Sequence, residues 1–109
     1  MLFAIPWATA IAAMDTGRPD QLVELLRQDC GACHGITLGG GLGPPLTRAA
    51  TDGRTTAELR AAILDGRPGT AMPPWRGLLT EEDVDFLVQA IRSGRMHEQG
   101  ERIGDAPAR

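Results

Sequence analysis

The chain has 109 residues, 42% apolar and 23% charged, with a formal net charge of −3, a length that suits one small domain. Two cysteines exclude a disulfide-dense mini-protein, the composition excludes a coiled coil and a multidomain enzyme, and the acidic balance argues against nucleic acid as a partner. Aromatics are only 4%, while 15 of the Gly and Pro residues fall between positions 31 and 77, so something other than side chains is expected to fill the interior.

Residues 1–14, MLFAIPWATAIAAM, carry no ionisable side chain, and small residues recur as Ala8-Thr9-Ala10 and Ala10-Ile11-Ala12. This pattern predicts a secretory signal peptide over 1–14, cleaved at about 10–14, although no basic residue precedes the apolar run. Pro6 argues against a buried helix, and the run falls short of the roughly 20 apolar residues a membrane span needs. The expected product is an exported, periplasmic domain over 15–94.

A first helix is expected from about Pro19 to Asp29, with Leu22, Leu25 and Leu26 as its apolar stripe. Residues 35–54 show no periodicity and many breakers, so they read as loop. Thr55 with Glu58 forms a capping-box pattern opening a short helix with Leu59, Ala62 and Ile63 on one face, ended by Gly66. A second loop, 67–79, is held extended by Pro68, Pro73 and Pro74. Thr80 and Asp83 open the last helix, in which Val84, Leu87, Val88 and Ile91 share a face and which Ser93-Gly94 stops. Residues 95–109 read as a polar, disordered tail. No strand pattern occurs, and the class is all-α.

Cys30-Gly31-Ala32-Cys33-His34 is Cys-x-x-Cys-His, the attachment signature of c-type haem. Each thiol adds across a vinyl group to give a thioether, and the two-residue spacer lets both sulfurs reach neighbouring pyrrole edges. His34 then projects its imidazole at the iron. Three other readings compete. A thioredoxin-type redox pair would sit in a strand–helix context that the chain lacks. A zinc site would need another Cys or His, and only His97 remains. A structural disulfide would close a very short loop.

The candidates for a sixth ligand are Met14, Met72, Met96 and His97. Met14 falls at the end of the leader, while Met96 and His97 fall in the tail and read as solvated residues. Met72 stands apart, in Gly-Thr-Ala-Met-Pro-Pro-Trp. There Gly69 permits close approach of backbone to a flat cofactor, and the prolines restrict the loop. His/Met ligation would close both axial positions and raise the potential.

These motifs together resemble a class I cytochrome c over about residues 19–93, with three main helices wrapped around one covalent haem c. The resemblance implies that Cys30 and Cys33 are thioether sites, His34 the proximal ligand and Met72 the distal one. It implies that the Pro44 carbonyl, in Gly43-Pro44-Pro45-Leu46, accepts the imidazole N–H, and that Leu46 packs on the ring. Trp75 would lie near a propionate or meet water. Phe86 with Leu22 or Leu26 would supply the contact between terminal helices. The leader, the CGACHG and GTAMPPW segments and the TEEDVDFLVQAI helix are similar to NirC-type small cytochromes, which accompany cd-type nitrite reductases.

The implied function is that of a monomeric electron carrier, not an enzyme, with nitrite reductase and an upstream donor as redox partners, or an assistant in maturation of that enzyme's special haem. The alternatives are a cytochrome subunit of a periplasmic dehydrogenase and a gas-binding or peroxidatic haem protein. Residues 30–79 carry the chain's basic excess, so Arg48, Arg67 and Arg76 are the expected docking residues, with association slowed by salt and by charge reversal.

Overall fold

In a computed structural model the described residues are 17–96. The expected leader 1–14 and its cleavage site, Met14, His97 and all but the first two residues of the expected tail lie outside them. Among the described residues all regular structure is helical, and no helix is long and apolar enough to cross a membrane.

The first helix, α1 (residues 17–25), runs on without a break through a π-helical stretch, Leu26–Cys30, into α2, Gly31–His34. The stop expected at Asp29 is therefore corrected: the cysteine motif is itself helical. Wider π-helical turns rotate the residues that follow them relative to a continuous α-helix. Leu22 and Leu26 thus stay in the core while Cys30, Cys33 and His34 line a cavity beside it. Gly35, at φ +97°, ends the run.

The loop expected over 35–54 contains a further turn of helix, α3, Arg48–Thr51. Thr47 makes it possible, since its hydroxyl accepts from the Ala50 amide at 3.1 Å and thereby satisfies one of the open donors of the first turn. Four residues are too few for a periodic signal. Leu38 in the same segment is buried in a left-handed conformation, φ 61°, and its carbonyl accepts from the Leu46 amide at 2.9 Å.

Both capping boxes form. Thr55 and Glu58 open α4, Thr56–Asp65, and Thr80 and Asp83 open α5, Glu81–Ser93. Gly66 and Gly94 follow these helices with positive φ. Val84, Leu87, Val88 and Ile91 are all buried as expected, joined by Leu22, Leu26, Leu38, Leu64 and Leu79. On α4 the buried residue is Leu64, not the expected trio, because Leu59, Ala62 and Ile63 face the cavity. Phe86 is half-buried against the core that contains Leu22 and Leu26. Met96, expected to be solvated, also packs half-buried against this core and does not line the cavity.

The first and last helices of the described residues are tied together. Arg18 donates from Nε to Asp83 Oδ1 at 3.0 Å and from Nη2 to Oδ2 at 2.6 Å. Across the other end of α5, Arg48 donates to the carbonyls of Arg92 and Ser93.

Candidate functional site

The chemistry-bearing residues meet on one cavity of about 500 Å³, within the ~300–1,000 Å³ usual for small-molecule sites. Cys30, Cys33 and His34 line it from the first helical run, Gly43, Pro44 and Leu46 from the following loop, and Met72 and Trp75 from the proline loop. Leu25, Leu59 and Ile63 add apolar wall, and the core residues Leu26, Leu79, Leu87 and Ile91 form its floor.

Backbone hydrogen bonds hold the cysteine motif against its loop. The Gly43 amide donates to the Cys33 carbonyl at 2.7 Å, and the Gly40 amide donates to that of His34 at 2.8 Å. His34 Nδ1 lies 2.7 Å from the Pro44 carbonyl oxygen. A carbonyl only accepts, so Nδ1 carries the proton and Nε2 keeps a free lone pair, the arrangement that a metal-binding histidine needs. Gly43 is required for this contact, because a Cβ there would come within 2.8 Å of His34 Cε1.

The Met72 loop is pinned to the end of α4. The Arg67 amide donates to the Met72 carbonyl at 3.2 Å, and the Trp75 and Arg76 amides donate to Ile63 and Leu64 at 3.0 Å. Gly66 lies directly beneath, where a Cβ would meet the Met72 carbonyl oxygen at 2.7 Å. The two cysteines do not pair in a disulfide. Burial, helped by the Asp29 charge, pushes the Cys30 thiol up to about 11, so it stays protonated at neutral pH. Among the described residues no group of three His, Cys, Asp or Glu comes together to hold a metal, and His97, which the zinc reading needs, lies outside them.

The family described as "Cytochrome C oxidase, cbb3-type, subunit III" matches residues 17–91. Cytochrome c55X of Paracoccus denitrificans is 51% identical over 92 residues, which are 84% of this chain and 89% of the relative. The chain belongs to the c-type cytochromes, in the NirC and c55X family.

Cytochrome c55X of Pseudomonas aeruginosa is likewise 51% identical, over 75% of this chain and 69% of the relative. The solved structure of a c-type cytochrome NirC superposes with a TM-score of 0.71 at 51% identity, covering 72% of this chain and 93% of that one. This is the class I cytochrome c fold. A solved dihydro-heme d1 dehydrogenase NirN in complex with DHE shares 38% identity and a TM-score of 0.61 over 68% of this chain, but only 16% of its own length is covered.

As a member of a family of electron-transfer haem proteins, the chain should offer a flat apolar slot with a nitrogen donor, and its cavity fits. The walls are largely aliphatic, His34 Nε2 is free, and the Cys-x-x-Cys spacing lies along one wall. The charge pattern is less open than the sequence suggests. Arg48 is bound to the α5 carbonyls and Arg76 is paired with Asp65 at 2.7 Å. Of the three arginines expected to dock, Arg67 alone has an uncommitted guanidinium among the described residues, and it lies on the cavity wall. Sequence reasoning missed the roles of Gly43 and Gly66 at the two candidate ligands. The available signals were a Gly directly before Pro44 and a Gly whose helix-stopping role hid its second contact.

Proposed function

We propose that this cytochrome is an exported, periplasmic one-electron carrier in which Cys30 and Cys33 would hold one haem by thioether bonds and His34 and Met72 would ligate its iron. The observation that carries the reading is the meeting of the Cys-x-x-Cys-His run and Met72 on one apolar cavity, with His34 Nδ1 bonded to the Pro44 carbonyl. When bound, haem supplies reversible one-electron chemistry at iron. The chain's own part is to orient and exclude. Pro44 and Gly43 set the imidazole, Gly66 and the proline pair set the thioether of Met72, and Leu46, Leu59 and Ile63 keep water from the ring. With His34 and Met72 both as ligands, the iron would offer small substrates no open position, which favours electron transfer over catalysis.

Electron donation to nitrite reductase in denitrification is the favoured role, supported by the likeness to NirC and c55X cytochromes. Electron exchange in maturation of that enzyme's haem is the second reading. It is favoured by 42% identity over 64 residues with a segment of a dihydro-heme d1 dehydrogenase of Pseudomonas aeruginosa. Stopped-flow mixing with each partner separates the two: reduced protein oxidised by nitrite reductase supports the first, and oxidised protein reduced by the substrate-loaded dehydrogenase supports the second.

Optical spectroscopy of protein made with haem-maturation machinery tests the core of the proposal. Low-spin c-type bands and a methionine-to-ferric-iron charge-transfer band are expected. Met72→Ala should abolish that last band and let the ferrous form bind carbon monoxide. A colourless product, a zinc-loaded one, or rapid stoichiometric carbon monoxide binding by the unaltered protein would overturn it. Sequencing of the exported protein's N-terminus checks the leader, with a start expected between residues 13 and 15.

A further inference from the structure

We propose that Leu38 is a positioning residue for His34: its buried side chain, held on a left-handed backbone, anchors the loop that sets the Pro44 carbonyl against the imidazole. The inference rests on the haem reading above, since it concerns what fixes a ligand of the iron. Between His34 and Leu46 the chain reads Gly-Ile-Thr-Leu-Gly-Gly-Gly-Leu-Gly-Pro-Pro, five glycines in eleven residues, a composition with little stiffness of its own. Yet this segment holds a carbonyl oxygen 2.7 Å from His34 Nδ1. Of its eleven residues Leu38 alone is buried, while Ile36 and Leu42, its other large apolar side chains, stand almost fully exposed.

Leu38 joins the core that contains Leu22, Leu26, Val84 and Val88. It does so at φ 61°, the one positive φ outside glycine among the described residues. A Cβ in that region crowds the following carbonyl oxygen, so leucine is disfavoured where glycine or asparagine would be tolerated. Strain of this kind persists only where the surrounding structure over-determines it, and burial of the side chain does so here. Main-chain bonds grip the residue on both sides. Its amide donates to the Gly35 carbonyl at 2.8 Å, and its carbonyl accepts from the Leu46 amide at 2.9 Å. The second bond closes the loop around Gly43 and Pro44.

The other bonds of the loop do not supply this anchor. The Gly40 and Gly43 amides bind the His34 and Cys33 carbonyls, which ties the loop to the motif it has to orient and not to the rest of the fold. Leu46 is half-buried and lines the cavity, whereas Leu38 does not line it. Leu38 therefore reaches His34 only through the loop, from the core side. With its side chain trimmed, the loop loses its hold on the core and the bond from Nδ1 to Pro44 weakens. A weaker bond there lowers the basicity of the imidazole.

The test is NMR of the haem-loaded ferrous protein, following exchange of the His34 Nδ1 proton with solvent, together with the reduction potential. The unaltered chain should exchange that proton slowly. Leu38→Ala should keep covalent haem and low-spin bands but exchange it about tenfold faster, the scale on which loss of an outer-shell partner is felt. Its potential should rise, because a less basic imidazole disfavours the ferric state. A roughly threefold fall in the ferric-to-ferrous ratio corresponds to about 28 mV. Leu38→Met, which keeps the volume, should restore both readings. Leu38→Gly relieves the backbone but removes the anchor, and should behave as the Ala variant. Val88→Ala opens the same core from α5, away from the cavity lining, and should lower stability while leaving both readings unchanged. A rapidly exchanging proton in the unaltered protein overturns the inference. So does a Leu38→Ala or Leu38→Gly variant with the unaltered readings, or a Val88→Ala variant that shifts them equally. If Leu38→Ala fails to load, Leu38→Val, one methylene smaller than leucine, carries the same comparison. An unaltered product without low-spin c-type bands would instead remove the haem reading, and the inference with it.

Discussion

His34 is oriented by an acceptor on one nitrogen and by the missing side chain of Gly43. The Pro44 carbonyl accepts a hydrogen bond from Nδ1, 2.7 Å away, which leaves a single nitrogen for coordination. A methyl group at position 43 would sit within 2.9 Å of both Nδ1 and Cε1, closer than ordinary packing allows. Gly43→Ala should therefore push the ring off its acceptor, at an overpacking cost of about 1–3 kcal/mol. Thermal unfolding of the haem-loaded variant measures that cost. Loss of its low-spin spectrum at milder pH than in the unaltered protein measures the displaced ligand. The cysteines and His34 are legible from five consecutive residues because attachment chemistry is local. Met72 is legible from its proline-bounded loop. The partner of His34 is not: ten positions separate it from Pro44, and only resemblance to a known family pointed there.

The start of α5 combines a cap with a tie to the start of α1. Asp83 is buried, its Oδ2 accepts from the Thr80 amide at 3.0 Å, and Arg18 engages both of its oxygens. The hydrogen bonds from Arg18 outweigh burial and hold the Asp83 carboxyl down at about 2. A carboxylate depressed in the folded state stabilises it above the unfolded value near 3.8, and that contribution disappears as pH falls from about 4 to about 2. Because the Arg18 side chain is 43% exposed, solvent screening reduces the contribution to the order of 1–2 kcal/mol. Asp83→Asn should lose that much stability at pH 7 and should show a flatter decline between pH 4 and 2, read from thermal melts across that range. The cap was legible in Thr80-Glu81-Glu82-Asp83. The tie to Arg18 was not, since it bridges 65 positions and side-chain charge has no periodicity to betray its partner. The same limit hid the bonds that Arg48 and Arg76, two of the residues expected to dock, make within the fold.

The domain is built around a space rather than a filled core. Its buried hydrophobics are mostly leucine and valine on the two terminal helices, and beside them lies the cavity of about 500 Å³. Left dry, a void of that size would cost on the order of 10 kcal/mol at ~24 cal/mol per Å³, comparable with the entire stability of a small domain. Opening it to water exposes Leu59, Ile63 and Leu46 instead. The chain without its cofactor should therefore be largely unfolded. Far-UV circular dichroism and hydrogen exchange of haem-free protein check this, with a cooperative native-like melt of the haem-free chain as the contrary result.

Cap boxes, glycine stops, the heptad-like face of α5 and the cysteine motif could all be read from the chain alone, because each acts within one or two helical turns. The shortage of aromatic mass likewise pointed to the apolar cavity that lies beside the core. Folding had to settle the rest: the π-helical continuation into the cysteine motif, the α3 turn and the burial of Leu64 in place of its neighbours. It also settled which arginines are spent on carboxylates and carbonyls. These depend on where distant segments come to lie, and no local preference encodes that.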